Sequence, residues 1–191
     1  YRDEDAVVLG IPRGGVEVAY YVAQELALPL SIVVVRKLPL PLNTEAGFGA
    51  VAEDGSIYFV ERASHRVSPE EEKRIIGEQK RELQRRIEVL RGGRPLPPLT
   101  GKTVILVDDG IAMGSTMHAA VMLGRNKGAE KIVAASPVAG PEIAMELSAG
   151  IDDVVILQRP PFFRAVAQVY RNWYDVPDGE VIDILARTAE P

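Results

Sequence analysis

Short apolar runs rich in Val and Ile alternate along this chain with longer stretches whose apolar residues recur every three or four positions. Ala6–Ile11 (AVVLGI) predicts a buried strand, Pro12-Arg13-Gly14-Gly15 a turn, and Val16–Leu28 a helix. Leu30–Arg36 (LSIVVVR) predicts a second buried strand. The proline-rich Lys37–Asn43 predicts a loop without regular structure, because proline donates no ladder hydrogen bond. Phe48–Val60 predicts a hairpin turning at Asp54-Gly55.

Ser68–Arg91 carries the clearest helix pattern. Ser68 suits the N-cap, Pro69 the first helical position, and Glu70, Glu71 and Glu72 the positive helix end. Its narrow stripe of Ile76, Leu83, Ile87 and Leu90 predicts packing of one face on a sheet, with a homodimer contact as the alternative. Residues 92–101 (GGRPLPPLTG) predict a linker. Residues 60–100 are thus expected to be a helical insertion and linker within one domain spanning 1–191.

The second half predicts a strand at Thr103–Asp109, a helix at Ser115–Lys127, a strand at Lys131–Ala139, a helix at Pro141–Ala149 and a last core strand at Asp152–Gln158. Phe162–Trp173 and Asp178–Arg187 predict two terminal helices. Strands alternating with helices imply an α/β fold whose parallel sheet is covered on both faces. In such sheets ligands bind beyond the carboxyl ends of the strands, where the strand order reverses.

Bulk properties narrow the function. The chain has 191 residues, 47% of them hydrophobic, which suffices for one substantial core. The net charge of −5 argues against a duplex nucleic-acid partner but not against a phosphorylated small molecule. The absence of cysteine excludes disulfides, thiolate nucleophiles and thiolate zinc sites, and suits a cytoplasmic location. No apolar run has the length of a membrane span. The chain opens on Tyr1 and enters a strand within a few residues, so a preceding segment is expected.

The chemistry concentrates in Val104–Thr116, VILVDDGIAMGST. An apolar strand delivers Asp108 and Asp109 to its tip, where two adjacent carboxylates need a cation or hydroxyl donors to offset their repulsion; a sugar diol or a hydrated Mg²⁺ supplies either. The loop that follows lies between a strand and a helix, where backbone N–H groups and the helix dipole attract an anion. Gly110 and Gly114 allow close approach, and Ser115 and Thr116 add hydroxyls. Neither a Walker A nor a dinucleotide-binding glycine pattern occurs here. The plain alternative for the acids is helix capping. For Arg13, Arg36 and Lys37 it is solvation at a strand end, although all three follow strands on the rim that carries the acids.

VILVDDGIAMGST resembles the phosphoribosyl-pyrophosphate (PRPP) signature of the type I phosphoribosyltransferases. The resemblance implies their fold, with a small hood, and assigns the ribose 2′- and 3′-hydroxyls to Asp108 and Asp109. It assigns the 5′-phosphate to Gly110, Ile111, Ala112, Met113, Gly114, Ser115 and Thr116. IPRGG resembles the family's pyrophosphate loop, so Arg13, Gly14 and Gly15 would meet the leaving group; VRK is similar to its basic residues, so Arg36 and Lys37 would reach the same pyrophosphate. Likeness to a branch of phosphoribosyltransferases with no known acceptor runs over nearly the whole chain, including GAVAEDG and the aromatic tail. It implies Mg²⁺ as cofactor, held near Asp108 and Asp109 mostly through water or ribose hydroxyls, and PRPP plus a nitrogenous acceptor as substrates. Met113 departs from the signature, which usually has Thr there, and a thioether donates no hydrogen bond to phosphate.

Other candidates carry less. His65 falls in a linker and His118 on the helix after the loop, so neither reads as a catalytic base. Phe162, Phe163, Tyr170, Trp173 and Tyr174 suit either stacking on a planar acceptor or packing of a small hood. Two other functions fit parts of the pattern: a PRPP- or nucleotide-sensing regulator on the same fold, and a receiver-like phospho-acceptor domain. The second requires its acidic pair on the first strand, whereas several strands precede Asp108 here.

Overall fold

The computed structural model describes residues 1–188, so 189–191 of the expected domain lie outside the described residues. In chain order the elements are β1 (Ala6–Gly10), α1 (Gly14–Leu26), β2 (Leu30–Ile32), β3 (Val35–Leu40), β4 (Asn43–Ala52), β5 (Ile57–Phe59), α2 (Glu61–Ser64), α3 (Pro69–Arg91), β6 (Thr103–Val107), α4 (Ser115–Asn126), β7 (Lys131–Val138), α5 (Pro141–Gly150), β8 (Asp153–Gln158) and α6 (Asp178–Thr188).

The main sheet is parallel, in the order β2-β1-β6-β7-β8. β1 and β6 are buried at every position because both faces of the sheet are covered. Val7, Leu9, Val104 and Leu106 pack with α4 and α5, through Met117, Leu123 and Leu147. Val8, Ile105 and Val107 pack with Ala19 and Ala23 of α1 on the opposite face. β8 departs from expectation: it is the edge strand, with Val155 and Leu157 exposed, because no strand follows it in the sheet.

The predicted strand Leu30–Arg36 is divided. Leu30–Ile32 joins the main sheet, whereas Val35 and Arg36 start a second, antiparallel sheet in the order β3-β4-β5. Lys37 and Leu38 therefore belong to a strand and not to the expected proline loop. β3 is an edge strand and its register shifts around Pro39, which is where a strand tolerates a missing N–H. The hairpin between β4 and β5 turns at Asp54-Gly55 as expected, with Gly55 at φ 92°.

α3 begins with a full capping box: the Ser68 side chain accepts from the Glu71 N–H, and the Glu71 carboxylate accepts from the Ser68 N–H. Its buried stripe is Ile75, Leu83, Ile87 and Leu90, with Ile75 taking the place expected of Ile76. This stripe is covered inside the chain by Leu38, Phe48 and Val51 of the second sheet and by Val181, Ile184 and Leu185 of α6. The expected helix over Phe162–Trp173 shrinks to one 3₁₀ turn at Val166–Val169, because this segment lies across the rim of the sheet and has no single apolar face to bury.

Candidate active site

The strand order reverses between β1 and β6: the chain crosses to β2 on one side of this pair and to β7 and β8 on the other. The connections leaving β1 and β6 consequently diverge above the sheet and leave a crevice at its carboxyl edge. Gly10 pairs with Val107, so Pro12-Arg13-Gly14 and Asp108-Asp109 leave the sheet side by side. The peptide bond between Pro12 and Arg13 is cis.

Two glycines make this juxtaposition possible. A Cβ on Gly14 would lie 1.9 Å from Asp109 Oδ2, and one on Gly15 would lie 2.7 Å from the Val107 carbonyl and 2.9 Å from Asp108 Cα. No larger residue fits at either position without displacing the acids.

A cleft of about 270 Å³ opens here, lined by Pro12, Arg13, Gly14, Arg86, Asp108, Asp109 and the tail segment Trp173–Val176. Burial and the neighbouring Asp109 charge push Asp108 well above the usual carboxylate range, although its Oδ1 accepts the Asp109 N–H at 2.9 Å. Burial also raises Asp109. Two desolvated carboxylates that share one edge favour a bound cation or hydroxyl donors. Among the described residues no three His, Asp or Glu side chains converge as a metal site. The hard oxygens of Asp108 and Asp109 are the donor type that Mg²⁺ takes, and they fill only part of its coordination shell.

The positive side of the cleft is richer than the sequence pattern indicated. Among the described residues Arg13 meets only one carboxylate, Asp178, at 3.8 Å. Arg86, on α3, donates from Nε to Glu82 at 3.2 Å. Arg36 donates to Gln79 at 3.1 Å, and burial followed by the charge of Arg86 lowers its proton affinity. Arg36 and Lys37 stand on β3 and are not among the residues lining the cleft. Arg86 lacked a motif in the sequence. Its only signal was its place beside the stripe residues Leu83 and Ile87, which turns a cation toward the covered side of the helix.

The loop after Asp109 reaches α4. Ile111 is core: its N–H donates to the Val138 carbonyl at 2.9 Å and it bridges to Ala139. Gly110 packs under Val166, Ala112 and Met113 are exposed, and Ser115 is buried. Gly114 is the N-cap at φ 72° and has no side chain to cap with, which leaves the first N–H groups of α4 open to an anion.

The aromatic tail closes the other side. Tyr170 donates to the Asp109 carbonyl at 2.6 Å and meets Trp173 edge to face. Burial, then the charges of Asp109 and Asp108, push its phenol up to about 12. Tyr174 donates to Glu180 at 2.8 Å and Glu17 at 3.1 Å, which fixes the tail against α1 and α6. Phe162 is exposed and Phe163 lies against Gly140, away from the cleft. His118 stacks on Tyr58 and faces Glu146 at 3.1 Å, and it does not line the cleft; His65 caps α2.

A family model described as the phosphoribosyl transferase domain matches residues 1–172. Relatives from two strains of Mycobacterium tuberculosis, provisionally named phosphoribosyl transferases, are 44% identical in an alignment 188 residues long that covers 95% of this chain. The match covers 41% of each, so the chain spans about two-fifths of their length. The crystal structure of TT1426 from Thermus thermophilus is similar at a TM-score of 0.81 and 39% identity, over 98% of this chain and 89% of that one. No helix among the described residues is long and apolar enough to cross a membrane.

Proposed function

Because the chain belongs to the phosphoribosyl transferase domain family, we propose that it transfers the 5-phosphoribosyl group of PRPP to a nitrogenous acceptor and releases pyrophosphate. One observation carries this reading: Gly14 and Gly15 bring Arg13 and the Asp108-Asp109 pair into one cleft at the reversal of strand order.

Asp108 and Asp109 accept hydrogen bonds from the ribose diol, and the open start of α4, with Ser115 and Thr116, takes the 5′-phosphate. The acceptor nitrogen attacks C1′ while the bond from C1′ to the pyrophosphate oxygen breaks, and the leaving pyrophosphate keeps that electron pair. The acceptor nitrogen then releases its proton to water. Arg13 neutralises the leaving group, and Trp173 and Tyr174 shield the cationic sugar from water. Mg²⁺, when bound at Asp108 and Asp109, would offset charge on the pyrophosphate and ribose oxygens.

A thermal shift with PRPP plus Mg²⁺, controlled with Mg²⁺ alone, tests the binding half. At a hundred times the dissociation constant the ligand adds about 2.7 kcal/mol, or roughly 5–10 °C for a chain of this size. The rise should vanish in Asp108→Asn/Asp109→Asn. Pyrophosphate release with a panel of bases tests turnover, and unchanged rates in Arg13→Ala would sink the assignment. A PRPP-sensing module is the second reading, favoured by the exposed thioether of Met113 in the phosphate loop. Binding without release for any acceptor would select it.

A further inference from the structure

Arg86 comes from the long helix α3, outside every loop that the signature covers. Its side chain is only 14% exposed, yet among the described residues its one hydrogen bond is from Nε to Glu82. Among the described residues its two terminal amino groups donate no hydrogen bond, and Arg86 lines the cleft with Arg13, Asp108 and Asp109. Glu82 does not balance it alone. That carboxylate also takes both prongs of Arg85, at 2.8 Å each, and lies within the field of Arg36. Among the described residues Arg36 has only the neutral Gln79 for a hydrogen-bond partner, and Arg13 has a distant Asp178. Arg13 and Arg86 therefore line one cleft and Arg36 lies within the field of both, against the shared Glu82 and a distant Asp178. Such crowding is unfavourable until an anion of high charge enters, and planar forks match phosphoryl oxygens two at a time.

We propose that Arg86 is a substrate-binding residue for a diphosphate group: inorganic pyrophosphate, or the pyrophosphoryl end of PRPP. It completes a subsite whose other lining cation is Arg13, with Arg36 adding its field. The assignment rests on the phosphoribosyl reading for the second ligand but not for the first. It makes α3 part of the binding machinery and not merely a cover for the second sheet.

Calorimetric titration of the wild type and Arg86→Gln with Mg²⁺-pyrophosphate, PRPP plus Mg²⁺ and ribose 5-phosphate tests it. Losing one charge-assisted contact should weaken pyrophosphate and PRPP by about tenfold to a hundredfold, and leave ribose 5-phosphate unchanged. Arg86→Lys should recover part of the loss, because it restores the charge without the fork. An unfolding temperature close to wild type should accompany Arg86→Gln, since Glu82 keeps both Arg85 contacts and no carboxylate is left unpaired. Equal weakening of ribose 5-phosphate, or undiminished pyrophosphate binding, overturns the assignment. So does a wild type that ignores pyrophosphate. A wild type that binds pyrophosphate through Arg86 but ignores PRPP upholds Arg86 and removes the phosphoribosyl reading instead.

Discussion

Arg86 and Arg91 stand on the same helix and are both largely buried, at 14% and 5% side-chain exposure, but their surroundings differ in kind. Arg91 finds partners within the chain for all three of its nitrogens. Its Nη1 donates to the Ile32 carbonyl and to Glu53, each at 3.0 Å, its Nη2 donates to the other Glu53 oxygen, and its Nε donates to the Arg94 carbonyl at 2.6 Å. Glu53 in turn accepts the Val34 N–H at 3.0 Å. This network joins α3 to the point where the chain leaves the main sheet for the second one. Arg86 keeps donors in reserve beside two carboxylates that repel each other. A buried charge whose partners are all intramolecular belongs to the architecture; one whose partners are missing indicates where a ligand supplies them.

The largest effect should separate the two regions outright. Glu53→Gln leaves Arg91 buried without its counter-charge and should destabilise the fold by about 3–5 kcal/mol, measured by urea denaturation. Affinity for Mg²⁺-pyrophosphate per folded molecule should not change; a parallel loss of affinity would erase the distinction.

The pH dependence of the ligand-free protein sharpens the same contrast. Asp108 is held above its ordinary value by burial and by Asp109, so the folded state retains a proton that the unfolded chain has released. The contribution of Asp108 to stability is then full below the unfolded carboxylate value of about 3.9 and is lost as pH rises from there through the folded value. Asp108→Asn should flatten that slope and raise the unfolding temperature near neutrality while ligand binding is lost. If the variant keeps the wild-type slope, the acids are not the strained element of the cleft.

A smaller change is expected in the phosphate loop. Met113→Thr adds a hydroxyl at an exposed loop position and should tighten ribose 5-phosphate by up to about tenfold, with little effect on pyrophosphate. Equal tightening of both would show that the two phosphate subsites are not separate. Tyr170→Phe removes the hydrogen bond to the Asp109 carbonyl and should lower stability by about 1 kcal/mol, read from denaturant midpoints. A larger loss would make the tail a structural brace comparable to the Arg91 network.

Much of the core was legible in the sequence because both faces of β1 and β6 are buried, and a strand covered twice reads as an unbroken apolar run. The start of α3 was legible because its capping box is local: Ser68 and Glu71 satisfy one another. The acids and the glycine loop were legible because strand, carboxylates and helix start are contiguous. The path of Val33–Leu40 was not, since the apolar run gives no sign of where the chain leaves one sheet for another, and Pro39 is tolerated only because β3 lies at an edge. The tail from Phe162 to Trp173 failed for a related reason: its aromatic residues answer to the rim of the sheet and not to a helical period.

By itself, then, the sequence determined what adjacent residues can decide: the alternation of strands and helices, the cap of α3, and the delivery of Asp108 and Asp109 to a strand tip beside a helix start. Only the tertiary structure decided which distant groups share a wall. The contact of Gly14 and Gly15 with the acids depends on parallel pairing of β1 with β6, and the position of Arg86 depends on α3 packing between the second sheet and α6. The physical reason is range. Propensity, capping and alternation act over a few residues, whereas a crowd of like charges forms only when packing brings separate elements together, and no short stretch of the chain records it.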